Sequence, residues 1–113
     1  MYNIIHVQTQ AKRNLIDIRD VIRITGSIVR PKLMHCKVIN ICALYSANIQ
    51  EIICLISKIL KQEARTILHD TGSSCDVDLS MLYKILPQDD PLLNRNYWRR
   101  VLEYWVPRIN DTF

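Results

Sequence analysis

The sequence predicts an all-α fold organised around one long central helix. The strongest observation is the stretch from Ile39 to His69, which has a helical pattern of apolar residues and contains neither proline nor glycine. The whole chain of 113 residues has only two glycines and four prolines, fewer turn-forming residues than a β-sandwich or barrel needs. A helix of about 30 residues is about 45 Å long, so we expect shorter helices to cross it.

The N-terminal region is predicted to contain an arm and a first short helix. Residues 1–14 form the arm. The apolar residues between Leu15 and Ile24 recur at the spacing of a short amphipathic helix. Asn14 is a suitable N-cap for this helix, and Gly26 can end it.

A basic connector is predicted to follow the first helix. Pro31 breaks any helix in this region because it lacks a backbone N–H and its ring clashes with the preceding turn. The sequence does not decide whether residues 27–38 form a loop or add a helical turn.

The predicted central helix is apolar around much of its circumference. Apolar residues recur at helical spacing at Leu44, Ile52, Leu55 and Ile59. Ile53 widens this stripe, and a helix with so wide an apolar surface needs partners on more than one side. The short helices of the same chain cover only part of it, so we expect a partner chain to complete the burial.

The C-terminal third is predicted to be helical between polar turns. A loop at residues 70–74 precedes a short helix over residues 78–86, with Asp78 as its N-cap and a proline just past its end. Residues 91–105 are expected to form one helix or two short ones, and residues 106–110 an extended tail.

Two strings of this sequence resemble the histone fold. They are ALYSANIQEIICLISKILKQEAR, which resembles the central helix of the family, and CDVDLSMLYKIL, which resembles its second loop and last helix. The segments KILPQDDPLLNRN and VPRIN are similar to the acidic turn and docking tail of histones of the two-A type, including virus-encoded ones. The resemblance implies a short helix, a long central helix and a short helix over residues 15–87, followed by a C-terminal helical extension and docking tail at 88–113.

The sequence also departs from that family. The connector before the central helix is longer than the first loop of a histone. The second loop reads DTGSSCDVD and is acidic, whereas the family has a basic loop there. Lys58 and Lys61 stand where the acidic surface patch of the family is expected.

The resemblance implies a DNA-packaging protein of the nucleus or of a virion. Such a protein pairs with a histone-like chain of the two-B type through its long helix and contacts the phosphates of double-stranded DNA in a nucleosome-like particle. The candidate DNA-binding residues are the cations concentrated in the N-terminal half: Lys12, Arg13, Arg19, Arg23, Arg30, Lys32 and Lys37. The candidate partner-binding residues are Leu55, Ile59, Asp89, Asp90, Trp98 and Trp105.

A second hypothesis is a helical protein-interaction subunit or viral adaptor that does not bind DNA directly. The acidic second loop and the modest net charge of +4 favour it. The aromatic and arginine-rich segment from Tyr97 to Trp105 has the residue types of a nucleic-acid stacking surface, but also those of a protein interface. Trp98 and Trp105 fall on one helical face, which favours a protein-docking face or a local core.

Catalysis, cofactors and metals receive little support from the sequence. The three histidines show no spacing that indicates a catalytic set, and the chain has no glycine-rich phosphate loop. A zinc site can be drawn only from residues that lack close ligand pairs: His35, Cys36, Cys42, His69 and Cys75. We expect reduced thiols, with Cys54 in the core, and no enzyme activity, cofactor, metal or small-molecule substrate. With no secretory signal and no apolar run near 18 residues, we also expect no membrane partner.

Overall fold

The computed structural model describes residues 4–29 and 38–110, and it has a mixed α/β fold. The predicted all-α, histone-like fold is therefore wrong. The elements in chain order are β1 (Ile4–Gln8), β2 (Lys12–Arg13), α1 (Ile18–Val29), β3 (Ala47–Asn48), α2 (Ile49–Leu60), β4 (Arg65–His69), α3 (Ser80–Ile85), one 3-10 turn (Pro91–Leu93) and α4 (Tyr97–Asn110).

The predicted long central helix is replaced by a helix of 12 residues, α2, with other conformations on both sides. Residues 38–46 form no helix, because the Asn14 side chain holds both backbone groups of Ala43: it accepts from the N–H at 2.9 Å and donates to the carbonyl at 2.8 Å. The helix begins after Asn48, whose side chain caps the first turn. It ends at Lys61, which adopts the left-handed conformation with φ 54°.

The last residues of the predicted helix form a strand. β4 pairs in parallel with β1, in a register that runs from Ile4 opposite Arg65 to Gln8 opposite His69. β4 contains Thr66 and an isoleucine, whose branched side chains favour strands. Its partner strand lies at the other end of the sequence, so a pattern read within one segment does not predict the pairing.

The chain after β1 continues between two neighbours. On one side, β2 pairs antiparallel with β3. On the other side, the N–H of Gln10 donates to the carbonyl of Thr71 at 2.9 Å, and the N–H of Lys12 donates to that of Ser73 at 3.4 Å. Residues 10–13 therefore have neighbours on both sides, whereas β1 and β4 pair only with each other among the described strands.

Two apolar clusters form the core. The first contains Ile24 of α1, Leu82 of α3 and Leu92 of the 3-10 turn, each at most 1 % exposed. The second joins Ile52 of α2 to Trp98 of α4. Burial of these large side chains holds the helices together.

The flanking helices differ in length from their predictions. The helix expected over residues 15–24 forms as α1, and it begins after Asp17, whose carboxylate accepts the N–H of Arg19 at 2.8 Å. The expected end at Gly26 lies inside this helix. The predicted extended tail over residues 106–110 is wrong, because α4 continues through Pro107. No helix of the described residues is long and apolar enough to cross a membrane.

Candidate functional site

The outer edge of β4 carries unused backbone hydrogen-bonding groups. The N–H of Thr9 donates to the carbonyl of His69 at 2.9 Å, so the backbone groups of His69 point toward β1. Backbone groups of alternate residues in a strand point to opposite edges. The N–H and C=O groups of Thr66 and Leu68 therefore point away from β1, where no other strand of the described chain pairs with β4.

β4 is exposed as well as unpaired at this edge. All five of its residues are exposed, including Ile67 at 42 % and Leu68 at 53 %. Parallel sheets are ordinarily covered on both faces, and edge strands are ordinarily protected by proline, a bulge or several charges. β4 has no proline and one arginine, so its edge is open to another strand.

A groove of about 590 Å³ lies between α2 and β4. Residues at helical spacing on α2 and at its C-cap form one wall, and the following turn and the start of β4 form the other. The lining residues are Gln50, Ile53, Cys54, Ser57, Lys58, Lys61, Gln62, Glu63, Ala64 and Thr66. The groove therefore has apolar residues along α2, and it has Lys58, Lys61 and Glu63 near the end of that helix, beside an open strand edge.

The core holds the helical wall of this groove in place. The opposite face of α2 carries Ile52, which is buried against Trp98, and Leu55 packs on the same cluster. The Asn48 side chain also donates a 2.7 Å hydrogen bond to the carbonyl of Thr9. The groove is thus bounded by a helix that is anchored both to α4 and to the turn that follows β1.

A second group of polar residues joins α1 to α4. Asp17 is 4 % exposed, and its carboxylate accepts a 2.7 Å hydrogen bond from the Arg19 guanidinium and a 3.0 Å bond from the Trp105 indole. The bond from Arg19 lowers the pKa of Asp17 from its ordinary value of 3.8 to about 2, although burial acts in the opposite direction. This carboxylate is therefore ionised and fully paired at neutral pH.

Tyr97 completes this group. Its hydroxyl accepts the N–H of Asp17 at 3.0 Å and donates to the Asp20 carboxylate at 2.6 Å. Burial and then the bond to Asp20 raise the pKa of Tyr97 well above its ordinary value of 10.0. The phenol stays protonated and its hydroxyl makes two hydrogen bonds within the protein, so its role here is structural.

Arginines stack on the aromatic residues of α4. The guanidinium carbons of Arg19 and Arg108 lie 3.7 and 3.6 Å from the centre of the Tyr104 ring. Both cations are therefore within the range of a cation–π interaction with Tyr104.

The structure places the predicted DNA-binding residues in three environments. Lys12 and Arg13 are exposed on β2. Arg19 is paired with Asp17, and Arg23 with Asp20 and Asp90, so their charges are largely balanced by carboxylates. The other three, Arg30, Lys32 and Lys37, lie outside the described residues. DNA contact by any of the seven stays a prediction.

The predicted partner-binding residues differ in how far they are buried. Trp98 is 6 % exposed and Asp90 is 5 % exposed, so both belong to the interior. Leu55, Ile59 and Trp105 are half-buried and Asp89 is exposed. The expected stacking surface of aromatic rings is thus partly enclosed by the protein itself.

The prediction for Cys54 is wrong, because this residue is exposed and lines the groove. Of the imagined zinc ligands, His35 and Cys36 lie outside the described residues. Within the described ranges, no three His, Cys, Asp or Glu side chains come close enough together to hold a metal.

Sequence reasoning missed the groove because it placed α2 and β4 in one helix. One signal for the helical wall was available: Ile53 widened the apolar stripe and indicated a partner. No family model matches this chain, and neither a curated protein nor a solved structure is significantly similar to it.

Proposed function

We propose that this chain is a protein-interaction module that binds an extended peptide segment of a partner by adding it to β4. The observation that carries the proposal is the outward direction of the backbone groups of Thr66 and Leu68 beside the groove. Strand addition uses such an edge for main-chain hydrogen bonds, and it uses neighbouring pockets to select alternate side chains.

The lining of the groove suggests the chemistry of the peptide. Ile53, Cys54 and Ala64 provide an apolar contact for one side chain. Lys58 and Lys61 lie at the C-terminal end of α2, where the helix dipole adds no attraction for an anion but the two ammonium groups do. Glu63 also lines the groove and offsets one of these two charges. The excess of one positive charge favours a segment with an apolar residue followed or preceded by an acidic one.

The described lining of this groove supports a proposal of binding better than one of catalysis. Cys54 is its thiol, and the described lining residues include no histidine that could act as a base for it. We therefore propose no catalytic activity for the groove.

The experiment is to select peptides from a displayed library of random seven-residue segments and to measure their affinity for two variants. Thr66→Pro removes the outward N–H at a position where an edge strand tolerates proline. Thr66→Val keeps the N–H and the branched shape. We expect the valine variant to bind the selected peptides and the proline variant to lose at least tenfold in affinity, with similar unfolding transitions. Equal binding by both variants, or a library that yields no binder, contradicts the proposal.

Direct DNA contact is a second candidate function, favoured by one group of cations. Arg95, Arg99 and Arg100 are exposed at the start of α4 and form no ion pair with the described part of the chain. Arg99 stacks on Trp98 at 4.7 Å and Arg95 on Tyr45 at 5.4 Å. Contact with DNA would agree with a nuclear or virion location.

The DNA candidate has its own test. Affinity for double-stranded DNA is measured at two salt concentrations, for the natural chain and for a variant with all three arginines changed to glutamine. Loss of three phosphate contacts reduces the salt slope by about 3. An unchanged slope would show that these arginines do not contact DNA phosphates. Pairing with a histone-like chain also stays a prediction, although the long helix expected to mediate it is not formed.

A further inference from the structure

Two histidines lie side by side on the sheet formed by β1 and β4. In the parallel register His6 is opposite Ile67, and His69 is opposite Gln8. Residues that are opposite each other, or two positions apart, point to the same face of a sheet. His6 and His69 are therefore diagonal neighbours on one face, and both are exposed.

Their ring nitrogens are close together. Nδ1 of His6 lies 2.9 Å from Nε2 of His69, and the two rings are stacked with centres 5.2 Å apart and planes 25° apart. A hydrogen bond between two imidazoles requires one nitrogen to keep its lone pair and accept. The pair therefore presents nitrogen ligands of the kind that bind transition metals.

The separation is close to that required by a shared metal ion. Zinc binds imidazole nitrogen at about 2.0–2.1 Å in tetrahedral geometry, which places two nitrogen ligands about 3.3 Å apart. Small rotations of two exposed rings are enough to open the present 2.9 Å separation by about 0.4 Å. Zn²⁺, Ni²⁺ and Cu²⁺ are the divalent ions that imidazole suits best.

We propose that His6 and His69 form a two-histidine site for a divalent transition-metal ion, which bridges β1 and β4. No third His, Cys, Asp or Glu ligand joins them within the described residues, so water completes the coordination. A site with two protein ligands binds more weakly than a structural zinc site with four. The bound ion would link β1 to β4 in the folded protein.

The charged groups around this site are few. Asp70 follows His69 directly, and its carboxylate accepts hydrogen bonds from the Gln10 amide at 2.8 Å and from the Thr9 hydroxyl at 3.4 Å. These bonds hold the Asp70 side chain beside the turn that follows β1. Arg65 is on the same face as the histidines but at the far end of β4. The case for a metal ion thus rests on the geometry of the two imidazoles.

Metal binding at this site stabilises the folded state. The two ligands are far apart in the sequence and come together only when β1 pairs with β4. An ion that binds the native state and not the unfolded chain raises the unfolding temperature as its concentration rises. The strand that carries the proposed peptide edge is the one that the ion holds, but the metal site does not depend on peptide binding.

The test is thermal unfolding of the full chain in increasing zinc chloride, with the metal-induced shift as the measured quantity. We expect a rise of about 5 °C or more at saturating zinc. His6→Ala and His69→Ala should each abolish the shift, whereas the control His35→Ala should keep it. Because each variant is compared with itself without zinc, a change in its starting stability does not affect the result.

Cobalt(II) absorption distinguishes this site from the thiols of the chain. A site of imidazole and water gives weak visible bands, whereas cysteine ligation adds intense thiolate charge transfer. We expect weak bands that disappear in His6→Ala. Intense thiolate bands, an unchanged zinc shift in either histidine variant, or no shift in the natural chain would overturn the proposal.

Discussion

The Tyr97 hydroxyl donates a 2.6 Å hydrogen bond to the Asp20 carboxylate and accepts the backbone N–H of Asp17 at 3.0 Å. This side chain therefore joins the first turn of α4 to the start of α1. The contact connects parts of the chain that are distant in sequence, and it satisfies a polar group in the interior. Removal of the Tyr97 hydroxyl should therefore show how much this contact between α1 and α4 contributes to stability.

Tyr97→Phe should lower the free energy of unfolding by about 1–2 kcal/mol, because it removes the hydroxyl and leaves the N–H of Asp17 without its partner. Urea unfolding at pH 7 measures the change. Tyr83→Phe is the matched control, since Tyr83 is 41 % exposed and the change should cost less than about 0.5 kcal/mol. Equal effects of the two variants would show that the hydroxyl of Tyr97 contributes nothing specific.

Asp17 should make the free energy of unfolding fall as the solution becomes acidic. Its pKa is about 2 in the folded protein against an ordinary 3.8, so the folded state binds its proton less readily than the unfolded state. The stabilisation is complete above about pH 5 and is lost as the pH falls through 3.8 toward 2.

Asp17→Asn isolates this contribution from that of the other carboxylates. At pH 7 we expect the variant to be about 1–3 kcal/mol less stable than the natural chain. The difference should shrink toward pH 2, where the Asp17 carboxyl is about half protonated in the folded state and mostly protonated in the unfolded chain. Unfolding free energies at pH 7, 4 and 2 measure it, and a difference that does not change with pH would show that the charge of Asp17 is unimportant.

The two glycines should respond in opposite ways to alanine. Gly26 lies inside α1 with open space around it, so Gly26→Ala should stabilise the chain by about 0.5–1 kcal/mol. Gly72 has φ +123°, and an added Cβ would lie 2.5 Å from the backbone nitrogen of Ala11. Gly72→Ala should destabilise it by about 1–3 kcal/mol. Thermal unfolding compares the pair, and a loss of stability in the first variant would contradict the exposed position of Gly26.

The helices that pack locally could be predicted from the sequence. The apolar spacing near α1 and the polar residue before α3 are signals that lie within a few residues. Asp78 is not the N-cap as predicted, because the N-cap of α3 is Leu79 and the helix spans Ser80–Ile85. The Asp78 carboxylate nevertheless accepts the N–H of Ser80 at 3.0 Å. The length of the central helix could not be predicted in this way. Its end at Lys61 depends on a left-handed residue that is not glycine.

The strand content depends on contacts between distant segments. β4 contains two apolar residues that also suit a helix, and only its pairing with β1 decides between the two conformations. Asn14 shows the same effect, since its amide was expected to cap a helix and instead binds Ala43. The groove follows from that pairing, and this is why no motif in the sequence indicated it.

Amide hydrogen exchange, resolved by residue with NMR, distinguishes strand addition at β4 from binding elsewhere on the chain. Without ligand, Thr66 and Leu68 should exchange faster than Ile67 and His69, whose backbone groups point to β1. Addition of a selected peptide should slow exchange at Thr66 and Leu68 by at least tenfold and leave the other two almost unchanged. Slowed exchange confined to α4, or no change at Thr66 and Leu68 in the peptide complex, would contradict strand addition at β4.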